Sequence, residues 1–146
     1  MEPKIRKGTV DDYPTLVKIW EDAVRQSHDF LTDKEIGDIR SQLIPLYFPN
    51  VNLYVICDGD GDAIAGFMGL SHDKIEMLFV NPREHGKGFG TSLISMAIDR
   101  DIKLVDVNEQ NPTALGFYKR RGFKVISRDE TDDAGRPFPI LHMSMD

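Results

Sequence analysis

Apolar residues recur with two different periods along the chain, and the change from one period to the other divides it into elements. Lys4 to Lys7 alternates as a short strand does. Downstream, Leu16, Ile19, Trp20, Ala23 and Val24 recur at three- and four-residue intervals, so they share one stripe of a helix, with Thr9, Asp11 and Asp12 supplying capping side chains ahead of it. Thr32 followed by Glu35 has the spacing of a capping box, and Ile36, Ile39, Leu43 and Ile44 continue a second helix, which Pro45 and Pro49 should distort or end. Residues 53–57 and 63–70 read as strands joined by Asp58-Gly59-Asp60-Gly61-Asp62, residue types that accept the backbone angles of a tight hairpin. Residues 74–80 form another strand, stopped by Asn81-Pro82. A glycine-rich turn then enters a helix carrying Leu93, Ile94, Ala97 and Ile98. Leu104 to Val107 is the next strand, after which Asn111 can cap and Pro112 can open a helix ending at Gly122. Residues 123–128 and 138–145 close the chain as strands around a turn at 132–137. The order is one strand, two helices, three strands, a helix, a strand, a helix and two strands, which predicts a mixed α/β domain.

Composition narrows this picture. With 146 residues and 40% apolar content, the chain suits a single domain over 1–146. Its uncharged stretches, such as 63–70, fall far short of the roughly 20 residues of a bilayer span, and the N-terminus lacks the apolar core of a secretory signal. We therefore expect a cytoplasmic protein with no membrane partner. Cys57 is the single cysteine and sits in an apolar run, as an inert core thiol would. A net charge of −6 argues against a sequence-independent grip on nucleic acid and is compatible with a cationic substrate. The alternating aspartates at 58–62 resemble the start of a calcium loop, but Ala63 and Gly69 stand where its glycine and bidentate glutamate are required. His72 and His142 have no metal-ligand spacing with each other or with Cys57, so no metal is expected.

The candidate chemistry begins at His85-Gly86-Lys87-Gly88-Phe89-Gly90. A turn of alternate glycines between a strand and a helix lets successive backbone N–H groups face an anion, aided by the helix dipole, and Arg83 and Lys87 add positive charge nearby. No Gly-Lys-Ser/Thr follows, which excludes a Walker loop, and the spacing fits a dinucleotide fingerprint poorly.

A second segment downstream, Asn111-Pro112-Thr113-Ala114-Leu115-Gly116-Phe117-Tyr118-Lys119-Arg120-Arg121-Gly122-Phe123, changes the reading. With the glycine turn before it, the chain resembles the GNAT superfamily of N-acetyltransferases. Ser27-His28-Asp29-Phe30-Leu31, residues 107–111 and residues 135–139 look like small bacterial members. The resemblance implies a mostly antiparallel central sheet of about seven strands flanked by four helices, with acetyl-CoA as co-substrate. It further implies that Leu78, Phe79 and Val80 offer backbone groups to the acetyl and pantetheine arm where their strand splays from 104–107. His85, Gly86, Lys87, Gly88, Phe89, Gly90 and Thr91 would cradle the pyrophosphate, and Asn111 would meet the coenzyme arm. Tyr118 matches the tyrosine that protonates the departing thiolate. His85 stands where relatives place Arg or Gln, so a standing cation is missing unless the imidazole is protonated.

The implied reaction is direct acetyl transfer to a primary amine, on a small molecule, a protein lysine or a protein N-terminus, with no covalent enzyme intermediate. A lysine near pKa 10.4 needs about 4.6 kcal/mol to lose its proton at pH 7, against about 1 for an α-amine, so a general base matters. Asp106, Glu76 and His28 are the candidates. His85 keeps open an alternative, a GNAT-like acyl-CoA-binding module without useful catalysis. Either a monomer or a homodimer is compatible with a sheet of this type, whose end strands can pair.

Overall fold

The computed structural model describes residues 3–28, 30–59 and 63–145. Its strands are β1 (Lys4–Lys7), β2 (Asn52–Cys57), β3 (Ile64–Leu70), β4 (Lys74–Val80), β5 (Leu104–Asn108), β6 (Lys124–Asp129) and β7 (Ile140–Ser144). The helices are α1 (Tyr13–Ser27), α2 (Asp33–Gln42), α3 (Phe89–Asp99) and α4 (Pro112–Arg120). Their order along the chain is the one expected. In space the sheet runs β1-β2-β3-β4-β5-β7-β6, so the last strand inserts beside β5 and leaves β6 at the edge.

Local rules account for the element ends. Asp12 accepts from the Thr9 backbone N–H at 2.8 Å and is gripped by Arg6 through two bonds of 2.8 and 3.0 Å, which pulls its carboxyl down to about 2. The Thr32–Glu35 capping box forms in both directions, at 2.9 and 3.1 Å. Leu43 and Ile44 were expected to prolong α2, but the helix ends at Gln42. Residues Leu43–Tyr47 instead form one wide π-type turn, followed by a 3-10 turn at Phe48–Asn50. Pro45 has no N–H to meet the Ser41 carbonyl, so an α-helical continuation is disfavoured there. The hairpin tip, with Asp60 and Asp62 of the calcium-like aspartates, falls at 60–62, outside the described residues.

The sheet is covered on both faces. Ile56, Met68, Leu93, Ile94, Val105 and Met143 belong to a core under α3 and α4. Leu16, Trp20, Phe48, Val55 and Phe67 belong to a second core under α1 and α2, which also holds the buried Cys57. Two irregularities then prepare a site. Leu70 pairs with Ile75 while Gly69 pairs with Met77, so Glu76 is an extra residue bulged out of β4. The parallel pairing of β4 with β5 stops just before it, consisting of Lys74–Leu104 and Ile75–Val105 alone. Residues 76–80 and 106–108 diverge, leaving backbone groups that face a gap rather than a neighbour. No helix among the described residues is long and apolar enough to cross a membrane.

Candidate active site

One wall of this gap leads to the glycine turn. Asn81 ends β4, and its side chain accepts from the Arg83 N–H at 3.0 Å, which turns the chain through Pro82–Glu84 towards α3. Gly86 and Gly88 both have φ +83°, the left-handed region where a Cβ is penalised, and Gly88 is the N-cap of α3. A Cβ built on either would meet nothing within 4 Å, so the concave side of the turn opens into a groove of about 520 Å³. Leu78, Phe79, Val80, His85, Gly90, Thr91, Asn111 and Tyr118 share that groove. Phe89 reaches it too, although its ring is buried beneath.

The charges differ from expectation. Lys87 pairs with Glu84 at 2.7 Å, and the cations that line the groove are Arg120 and Arg121, from the end of α4. Nothing in the sequence sets these two apart from Lys119 beside them.

At the parting of β4 and β5 the groove meets a cavity of about 110 Å³, lined among others by His28, Glu76, Leu78, Phe79, Asp106, Asn111 and Tyr118. Five candidates from four separate stretches of chain therefore converge: Tyr118, Asn111, His28, Glu76 and Asp106. Tyr118 is 6% exposed, packs edge-on against Phe117 and Phe123, and burial raises its phenol above the ordinary value, so it stays protonated. Asn111 caps α4, its Oδ1 accepting from the Ala114 N–H at 3.2 Å. This cap does not use the amide NH2 group, which remains a donor. His28 ends α1 with Nδ1 2.6 Å from Ser27 Oγ. Ser27 spends its own proton on the Ala23 carbonyl at 2.8 Å, so Nδ1 is the donor in its contact with Ser27.

On the far side lies a pocket of about 580 Å³ lined by Trp20, Leu46, Tyr47, Met77 and the acidic Glu76, Asp106, Asp132 and Asp133. Asp132 is paired with Arg136 at 3.3 Å and also accepts backbone N–H bonds within the 132–136 turn. Asp106 is held from two directions, by Lys74 Nζ at 2.9 Å and by His142 Nδ1 at 2.6 Å. His142 Nε2 in turn lies 2.7 Å from Asp129. These bonds, the one to Asp129 first, raise the His142 pKa, and the bond to Asp106 raises that of Lys74. His142 was considered in the sequence only as a metal ligand. Its place beside Asp106 comes from β7 pairing with β5, a pairing between segments 36 positions apart.

Comparisons with known proteins agree with this architecture. Residues 46–146 match the acetyltransferase (GNAT) domain family. The chain is 36% identical over 140 residues to the peptidyl-lysine N-acetyltransferase YjaB of Salmonella typhimurium, covering 95% of each protein. It is 37% identical over 141 residues to YjaB of Escherichia coli, covering 96% of this chain and 95% of that one. The solution structure of apo YjaB from Escherichia coli superposes with a TM-score of 0.91 at 35% identity, covering 99% of this chain and 98% of that one. The PaiA N-acetyltransferase of Thermoplasma acidophilum, solved with coenzyme A, shares the fold with a TM-score of 0.70 at 18% identity and 99% coverage of both chains. The divergent β4 and β5, the glycine turn and these relatives together place the chain in the GNAT acetyltransferase family.

Proposed function

We propose that the protein transfers an acetyl group from acetyl-CoA directly to the ε-amine of a lysine in a protein or peptide. The observation that carries this reading is the parting of β4 and β5, where a groove with cationic and amide donors meets an acidic pocket across a small cavity containing Tyr118. The groove suits a phosphate-bearing donor and the pocket suits an ammonium-bearing acceptor. The names of the relatives favour lysine among the possible amines.

In this scheme the turn at 85–90 and the start of α3 hold the pyrophosphate, and the edge of 78–80 turned away from β3 aligns the acetyl arm. Asp106, held in place by Lys74 and His142, anchors the incoming ammonium. Glu76, bulged to the border of cavity and pocket, takes a first proton from the ammonium to free the lone pair that attacks the thioester carbon, and the nitrogen gives up its second proton to solvent as the tetrahedral adduct collapses. The C–S bond then breaks and its electron pair goes to sulfur, which Tyr118 meets with its O–H. A phenol near pKa 10 is a weaker acid than a thiol near 8.5, and burial weakens Tyr118 further. Tyr118 thus stabilises the leaving thiolate chiefly as a hydrogen-bond donor.

The test incubates the protein with acetyl-CoA and a panel of lysine peptides, polyamines and small amines, following free thiol and identifying products by mass spectrometry. Acceptor-dependent thiol release with acetylated lysine is expected. Coenzyme binding without it would leave an acyl-CoA-binding module instead.

A further inference from the structure

Arg121 follows the last residue of α4 and reaches across the coenzyme groove to the opposite helix. Nη2 donates to Thr91 Oγ1, on the third residue of α3, at 2.5 Å, and Nη1 donates to the Phe117 carbonyl at 3.3 Å. The guanidinium carbon lies 4.0 Å above the Phe117 ring. Two neutral contacts and an aromatic face thus hold the plane of the group still, and no carboxylate among the described residues pairs with it. Nε is buried and meets no acceptor among those residues. A buried donor on a permanent cation, left without a partner, destabilises a fold unless the group serves something else. The neighbourhood says what that is. Arg121 lines the groove beside the first turn of α3, the helix end to which Gly86 and Gly88 open. Of the cations in and beside the turn, Lys87 is committed to Glu84, and neither it nor Arg83 lines the groove.

We propose that Arg121 is a binding residue for the coenzyme pyrophosphate, supplying from the end of α4 a standing positive charge to a groove that the cations of the turn do not line. A guanidinium offers a planar fork that matches phosphate oxygens, and one already locked by Phe117 and Thr91 loses little freedom on binding. The inference rests on reading the groove as the acetyl-CoA site.

Calorimetric titration tests it with three ligands: acetyl-CoA, its 3′-dephospho form, and acetyl-pantetheine, which has no phosphate. They are titrated into the parent protein, Arg121→Met and Arg121→Lys, and each apo protein is melted. Arg121→Met should weaken both nucleotide ligands by the same factor, roughly tenfold to hundredfold, as expected for one or two charge-assisted bonds. Its affinity for acetyl-pantetheine should not change. Arg121→Lys should show a smaller loss with the same pattern, because it keeps the charge but not the fork. The apo melting temperature of Arg121→Met should stay near the parent value while the rise produced by acetyl-CoA shrinks. Equal affinity for acetyl-CoA in all three proteins would overturn the inference alone. A loss confined to the 3′-phosphorylated ligand would overturn the pyrophosphate assignment. Failure of the parent to bind acetyl-CoA would overturn the coenzyme reading and this inference with it.

Discussion

Replacing the turn glycines by alanine separates fold from function, because the structure assigns them different costs. At Gly86 and Gly88 the backbone has φ +83°, where an L-residue costs about 1–2 kcal/mol. No steric cost adds to this, since the new methyl would meet nothing within 4 Å. A domain of this size loses roughly 2–4 °C of melting temperature per kcal/mol, so each variant should melt roughly 2–8 °C lower and still fold. The methyl, however, enters the concavity that the amides face. Losing one or two charge-assisted bonds there should weaken acetyl-CoA by about tenfold or more. Gly37→Ala, in α2 and away from the groove, is the internal control. Its φ is not positive, its Cβ would meet only the end of the Arg40 side chain at 3.7 Å, and alanine is favoured over glycine in a helix by about 1 kcal/mol. That variant should melt at or above the parent and bind the coenzyme as the parent does. The assay is calorimetry with acetyl-CoA beside thermal melts of all four proteins. Should Gly86→Ala and Gly88→Ala melt lower yet bind acetyl-CoA like the parent, the turn is a connection and not a phosphate cradle.

Three further outcomes follow from the site and its surroundings. Glu76→Gln should lower kcat by about 10²–10⁴-fold with little change in acceptor KM, whereas Asp106→Asn should act mainly on acceptor KM; the reverse split in steady-state kinetics would exchange their roles. Because the folded-state pKa of His142 is raised, its stabilisation is fully present below about pH 6.5 and is lost as pH rises through the raised value. Urea denaturation of the parent and Asp129→Asn should therefore differ most near pH 6 and converge above neutrality, by under about 1 kcal/mol because Asp129 is exposed, and a pH-independent gap would contradict the pairing. Asp12 behaves in the opposite sense. Its folded pKa is lowered from 3.8 to about 2, so its stabilisation is present above the unfolded value and is lost as pH falls through 2. Asp12→Asn should cost about 1 kcal/mol at neutral pH, discounted for the half-exposed Arg6, and the gap in acid denaturation should close near pH 2.

What the sequence made legible was what lies close together along it. The periods of α1 and α3, the Thr32–Glu35 box and the glycine turn with its following helix depend on neighbours a few residues apart, and the structure has them where they were expected. The wide turn at Leu43–Tyr47 was half legible, since Pro45 announces a break but not its geometry. Long-range pairing was hidden. Nothing in residues 138–145 says that β7 enters between β5 and β6, and that insertion alone sets His142 between Asp106 and Asp129. The bulge was hidden as well. Residues 74–80 are apolar on both faces after Glu76, so the alternation gives no sign that Ile75 and Met77 point into different cores.

The same division explains the charges. The absence of a cation at His85 is visible as a departure from a motif, but the compensation by Arg121 arises 36 residues later, where α4 ends against α3. A net charge of −6 hides this segregation because it sums over two opposite ends. Arg120 and Arg121 outnumber Glu84 along the groove, Glu76, Asp106, Asp132 and Asp133 outnumber Arg136 in the pocket, and the buried Tyr118 stands at the cavity between them. Such polarity favours an anionic donor entering from one side and a cationic acceptor from the other. The gap between β4 and β5, which neither end creates by itself, is where the two can meet without passing through each other's field.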